Sequence, residues 1–198
     1  EKSKTSIVFN DDEIKKYYKK DTINFFQITK TNSQFESLLE SLKLIEKQKN
    51  FFLCSCDCFG YYDDKLFESL IKKELYDVVC FGFKPSLLQL KLNSSYSTFS
   101  CDGEKLTKLF VKEVKNESSY GLAGFFWIKD GLLISKFIKE YNFENKEREI
   151  IIDDIISYAC SEKFSIANIP LSKYVHLGSA EEYKEYLYWE ANIKSLLK

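Results

Sequence analysis

The sequence predicts an α/β fold, with a mixed, mainly parallel central sheet, helices on both faces and an inserted β-hairpin. Apolar runs of strand length alternate with segments of helical period along most of the chain, the signature of βαβ units. The alternation breaks at Asp102-Gly103, a dipeptide favoured in tight hairpin turns. At 198 residues, 44% hydrophobic and 30% charged, the chain suits a single domain with its own core.

Taken in order, Ile7 to Phe9 and Ile23 to Ile28 read as strands, running into loops at Asn10-Asp11-Asp12 and Thr29-Lys30-Thr31-Asn32. From Gln34, apolar residues at Phe35, Leu38, Leu39, Leu42 and Ile45 follow the helical i, i+3, i+4, i+7 pattern. Phe51 to Cys58 reads as one continuous buried strand. A helix from Asp64 to about Glu74 turns Phe67, Leu70 and Ile71 inward, and a strand follows from Asp77 to Phe83. Tyr96 to Phe99 and Leu106 to Val111 form the hairpin. Leu122 to Ile128 is a further strand, Leu132 to Tyr141 a helix, and Ile150 to Cys160 another, with Ile151, Ile155 and Tyr158 on one side. Phe164 to Ile169 is a late strand, and the last helix starts at Ser179, whose spacing to Glu182 is that of a capping box.

The charge balance of 29 basic against 30 acidic residues leaves no basic field for a nucleic-acid backbone. No run approaches the roughly 18 apolar residues of a membrane span, and the expectation is a soluble, cytoplasmic protein. Six cysteines, three of them alternating at Cys54, Cys56 and Cys58, read as buried reduced thiols rather than a disulfide framework or a zinc site. No methionine occurs, even at position 1, which implies a processed chain or one from which residues have been removed.

An ordered set of short motifs from about Lys4 to Trp189 resembles the sugar-phosphate nucleotidyltransferase family. Thr31-Asn32-Ser33-Gln34 resembles its Thr-x-Gly-Gln segment, and Phe51 to Asp57 its apolar strand ending in a metal-binding aspartate. The hairpin with Lys112-Glu113 and the strand Ala123-Gly124-Phe125-Phe126 are similar to the next two family segments. Glu149 to Asp154 stands where the family has Glu-Tyr-x-x-Thr-Asp, and Tyr174 to Tyr183 resembles its Trp-x-x-x-Gly-Thr-Pro-Glu-Asp-Leu segment, in a form similar to members of bacterial capsule and surface-sugar pathways.

The resemblance implies a nucleotide-diphospho-sugar transferase fold (GT-A-like), and transfer of a nucleoside monophosphate from an NTP to a sugar-1-phosphate or related acceptor with release of pyrophosphate. It implies Mg²⁺, held by Asp57 at a strand end, where phosphate-bridging metals are well placed. Asp57 is otherwise a plain strand-end carboxylate. His176 stands where many members carry a second metal-binding aspartate, although Mg²⁺ prefers oxygen. Gln34, with Asp57, is implied in nucleotide binding, and Glu113, Lys112, Lys115, Glu149 and Asp154 in substrate binding. Each has a plainer alternative as a cap, a solvated residue or a surface charge.

Against the pattern, the family's Gly-rich phosphate loop and first strand have no counterpart, Ser33 replaces a glycine, Phe35 a small residue and Val114 the phosphate-contacting lysine. Three readings follow: an active Mg²⁺-dependent nucleotidyltransferase, a degenerate domain that binds without turnover, and a glycosyltransferase, which Asp57-Cys58-Phe59 fits poorly because it lacks Asp-x-Asp. The closing helix, with Tyr183, Tyr186, Leu187 and Trp189, either seals the domain, the favoured reading, or docks another subunit of a homo-oligomer.

Overall fold

The computed structural model describes residues 5–9, 23–29, 31–85, 96–114, 120–141, 148–162 and 164–197. Lys115 and the loop expected at Asn10-Asp11-Asp12 lie outside them. The chain divides into two compact units, residues 1–49 with 130–158 and residues 50–129 with 159–198.

In the first unit, β1 (Thr5–Phe9) and β2 (Ile23–Gln27) pair in parallel. The helix expected from Gln34 to Ile45 forms as two pieces, α1 (Gln34–Glu40) and α2 (Leu42–Ile45). The break is at Ser41, whose hydroxyl donates to the Ser37 carbonyl at 2.7 Å, a local bond of the kind that bends helices. Ser33, which stands where the resemblance leads one to expect glycine, caps α1 by accepting from the Glu36 amide at 3.1 Å.

Further along, α4 (Gly131–Glu140) is capped by Asp130, and α5 (Ile152–Ser161) buries Ile152, Ile155 and Ile156. The inward face of α5 is therefore rotated from the expected Ile151, Ile155 and Tyr158, and Ile151 precedes the helix. Phe35, Leu38, Ile45, Ile134, Phe137 and Ile138 complete the apolar interior.

Gly131 lies against the backbone carbonyl of Ile45, and its own amide donates to the Gln48 carbonyl at 2.9 Å. A methyl group there overlaps backbone rather than a yielding side chain. Gly131→Ala is expected to lower the stability of this unit by roughly 1–3 kcal/mol, since overpacking outweighs the gain of up to about 1 kcal/mol in helix propensity. A urea midpoint at or above the wild-type value contradicts this.

The second unit holds a six-stranded sheet in the order β3 (Lys49–Cys54), β8 (Tyr120–Asp130), β5 (Val78–Phe83), β9 (Ile166–Pro170), β7 (Lys105–Phe110), β6 (Thr98–Asp102). An additional β6–β8 pairing closes five of these strands into a ring. β5 and β9 run parallel, whereas β5–β8, β6–β7, β6–β8 and β7–β9 are antiparallel. The sheet is thus mixed, as expected, but its described pairings are not mainly parallel. The reason is that the hairpin joins the main sheet and closes it instead of standing apart as an insertion. Gly103 has φ 58° in the turn of this hairpin, a conformation open to glycine at little cost.

Every residue of β5 is buried between its neighbours, and Phe81, Phe83, Phe125, Trp127, Ile169 and Leu70 of α3 (Asp64–Lys72) form the core of this unit. Each such side chain contributes about 2–3 kcal/mol on burial. The continuous strand expected from Phe51 to Cys58 does not form. β3 ends at Cys54, the chain bends at Cys56-Asp57, and β4 (Cys58–Tyr61) pairs with β10 (Lys173–His176) in a separate two-stranded sheet. β3 lies at the edge of its sheet, where Phe52 and Cys54 are exposed rather than buried, and Cys56 is exposed at the bend. None of the six cysteines is in a disulfide, and only Cys80 is fully buried.

The closing helix, α6 (Ala180–Leu196), starts as expected with Ser179 as its cap, but it buries none of its residues. Tyr183, Tyr186, Leu187 and Trp189 are exposed, so the helix does not seal the domain. No helix among the described residues is long and apolar enough to cross a membrane.

Candidate functional site

The bend between β3 and β4 presents Asp57, and the segment after β10 returns beside it. The Leu177 amide donates to the Asp57 carbonyl at 2.7 Å, and Cys58 is in register with His176 across the β4–β10 pair. The Ser55 hydroxyl donates to Asp57 Oδ1 at 2.6 Å, while the Ser55 amide is held by the Gly124 carbonyl at 2.7 Å.

Asp57 Oδ2 faces His176 Nε2 across 3.6 Å, and Nδ1 of the same ring lies 2.8 Å from Glu182 Oε2. Glu182 also accepts from the Ser179 hydroxyl at 2.8 Å. The five side chains Ser55, Asp57, His176, Glu182 and Ser179 therefore form one polar chain. All of them are half-buried, accessible to a ligand yet held in place. Tyr174 stacks on the imidazole at 6.2 Å and 15°, and on Phe83 at 4.2 Å and 13°, which fixes the ring plane.

Gly178 keeps the opening between Asp57 and His176 clear. A Cβ at this position would lie 2.7 Å from Asp57 Oδ2 and 2.7 Å from His176 Nε2. Among the described residues no group of three or more His, Cys, Asp or Glu side chains converges as a metal cage. Two protein ligands beside a glycine-lined opening fit a cation that takes its remaining ligands from phosphate oxygens and water, the usual arrangement in phosphoryl-transfer sites. Gly178→Ala is expected to leave the fold intact, because its new methyl meets only side-chain ends, and to close the opening to a cation. Unaltered Mn²⁺ binding by calorimetry would contradict this.

The remaining expected site residues have other partners. Gln34 Oε1 accepts from the Ile152 amide at 2.7 Å, and Glu149 Oε1 accepts from the Gln34 amide at 2.7 Å. Each of α1 and α5 thus has a first-turn amide capped by a side chain from beside the other. Asp154 accepts from the Ile151 amide at 3.1 Å, the returning half of a capping arrangement, and pairs with Arg148 through bonds of 2.9 and 2.7 Å. Gln34, Glu149 and Asp154 all belong to the first compact unit, whereas Asp57 and His176 belong to the second.

Lys112 and Glu113 follow β7 in a turn anchored by two hydroxyls next to or within β6. Ser97 Oγ accepts from the Lys112 amide at 3.0 Å, and Thr98 Oγ1 donates to the Glu113 carbonyl at 2.6 Å. Lys112 adopts φ 53° there, and the Glu113 side chain is exposed. Sequence reasoning missed Ser55 and Gly178 as site residues, and it took Glu182 for a helix cap alone. The one available signal was the lone histidine six residues before that glutamate.

Solved structures of similar shape give this arrangement its context. A UDP-glucose pyrophosphorylase in complex with UDP-glucose matches with a TM-score of 0.66 at 17% identity, over 85% of this chain and 66% of that one. A Bacillus anthracis protein assigned as a glucose-1-phosphate thymidylyltransferase gives 0.70 at 11% identity, over 91% and 73%. The fold is that of the nucleotide-sugar pyrophosphorylases. The inositol-1-phosphate CTP transferase of T. maritima shares it, with 0.60 at 11% identity over 80% and 62%. The chain thus spans about two thirds of the length of these pyrophosphorylase-fold proteins. No protein-family model and no curated protein matches the sequence.

Proposed function

We propose that the chain is a nucleotidyltransferase domain that transfers a nucleoside monophosphate from an NTP to a sugar-1-phosphate or related phosphorylated small molecule, releasing pyrophosphate. The observation that carries this reading is the Asp57–His176 opening beside Gly178, on a pyrophosphorylase fold. A divalent cation bound there by Asp57 and His176 would offset the charge of the phosphates. Ser55 holds the Asp57 carboxylate in place, Glu182 and Tyr174 orient the imidazole, and Gly178 leaves room for phosphate oxygens. An NTP substrate makes the cytoplasm the place of reaction, and an activated sugar suits the assembly of surface polysaccharide precursors.

A second reading, a domain that binds a nucleotide without turnover, is favoured by one observation. The Gln34 carbonyl that would read a base edge is engaged by Ile152 instead. Release of pyrophosphate separates the two readings, measured with each of the common NTPs against a panel of sugar-1-phosphates and phosphorylated polyols or amines. Turnover with one pair supports the transferase. Nucleotide binding without pyrophosphate release supports the second reading, and the absence of both overturns the proposal.

A further inference from the structure

We infer that the cation of this site is a borderline first-row transition ion, held by Asp57 Oδ2 and His176 Nε2 in preference to Mg²⁺. The inference rests on the function proposed above and concerns the donor set peculiar to this chain.

Glu182 Oε2 already accepts the Ser179 hydroxyl proton and, as a carboxylate, has no proton to donate, so the bond to His176 Nδ1 is made by a ring N–H. In the neutral imidazole the proton is then on Nδ1, and Nε2 presents its lone pair. That lone pair faces Asp57 Oδ2 at 3.6 Å, too long for a hydrogen bond. The other carboxylate oxygen is occupied by the Ser55 hydroxyl. An oxygen and a nitrogen that can both donate electron pairs thus lie 3.6 Å apart, and a positive charge is favoured between them.

With metal–ligand lengths of about 2.1 Å, a 3.6 Å span subtends an angle of about 118° at the ion, and an approach of about 0.6 Å gives the octahedral cis span of about 3.0 Å. Asp57 is at an accessible bend, so most of a movement of that size can come from its side chain. The donor set is one carboxylate oxygen and one imidazole nitrogen. Mg²⁺ takes oxygen ligands almost exclusively, whereas imidazole suits the first-row transition ions. The carboxylate behind the imidazole strengthens this bias, because a histidine that donates its far N–H to a carboxylate is a more basic ligand. The competing state is a direct His176–Asp57 contact that leaves no room for an ion.

Pulsed electron paramagnetic resonance on the whole chain, with Mn²⁺ and the α,β-methylene analogues of UTP and CTP as probes, distinguishes these states. The expected result is ¹⁴N modulation from a coordinated imidazole, present in the wild type and lost in His176→Asp. In Glu182→Gln, which keeps an acceptor for Nδ1–H, the modulation persists with Mn²⁺ affinity reduced tenfold or more, on the order of the usual outer-ligand effect. The Mn²⁺-over-Mg²⁺ preference of the wild-type complex should exceed that of the free nucleotide by about tenfold or more, and His176→Asp should erase the excess. Nucleotide-dependent Mn²⁺ binding without nitrogen modulation, or with the free nucleotide's own preference, overturns the inference and leaves the proposed function standing. Absence of any nucleotide-dependent Mn²⁺ binding overturns both.

Discussion

Asp57→Asn is expected to lower kcat/KM for pyrophosphate release by about a hundredfold or more, in line with the loss of one group that stabilises developing charge in a transition state. The substitution is nearly isosteric. The Asn carbonyl still accepts the Ser55 hydroxyl proton, and the backbone carbonyl still receives the Leu177 amide. What disappears is the negative charge facing His176 and any cation between them. The fold should therefore be retained within about 1 kcal/mol, as for substitutions that disturb no buried contact, and the defect should fall on turnover and metal dependence. Turnover at the wild-type rate, with the same metal requirement, would remove Asp57 from the reaction and with it the basis of the proposed function.

The physical reasons why parts of this arrangement were legible in the sequence differ from residue to residue. Helices announced themselves through periodicity, and the last one also through Ser179, because a side chain that accepts from a free N-terminal amide is favoured at a helix start. β5 was legible because a strand buried on both faces must be apolar throughout. The split of Phe51–Cys58 was not legible. Neither Gly nor Pro marks the bend, and apolar side chains flank it closely on both sides, with Phe51, Phe52 and Leu53 in β3 and Phe59 and Tyr61 in β4. The closure of the sheet was hidden for another reason, since it also needs β5 and β7 to pair with β9, far along the chain from both.

The candidate site was legible where chemistry is rare, and illegible where it is common. A lone histidine and a strand-end aspartate stand out, and the structure places them 3.6 Å apart. Gln34 and Glu149 look alike whether a helix N-terminus or a ligand receives them, and the structure shows them capping α1 and α5 reciprocally. Gly178 matches the glycine of a family segment, but its role does not show in the sequence, because that role is the volume that it leaves empty beside two other side chains.

The largest loss of stability is expected from Arg148→Met, at a residue that no motif singles out. Asp154 has a fully buried side chain, whereas Arg148 is 38% exposed, so the pair is asymmetric. The guanidinium makes two parallel bonds to the carboxylate and a third, of 2.8 Å, to the Glu149 carbonyl. Methionine keeps much of the packing volume and removes all three bonds. Asp154 keeps the Ile151 amide but loses the charged partner of its buried carboxylate, and breaking a buried pair from one side costs about 3–5 kcal/mol. At about 2–4 °C per kcal/mol for a chain of this length, the apparent Tm should fall by roughly 6–20 °C. Hydrogen exchange should show the loss first in α1 and α5, whose N-terminal turns share this network. The double variant Arg148→Met/Asp154→Asn removes the stranded charge and keeps an acceptor for Ile151, so it should recover a large part of the loss. If the single variant loses less than about 1 kcal/mol, or the double is no better than the single, the carboxylate is hydrated without Arg148. The pair is then a surface contact and not the anchor of the first unit.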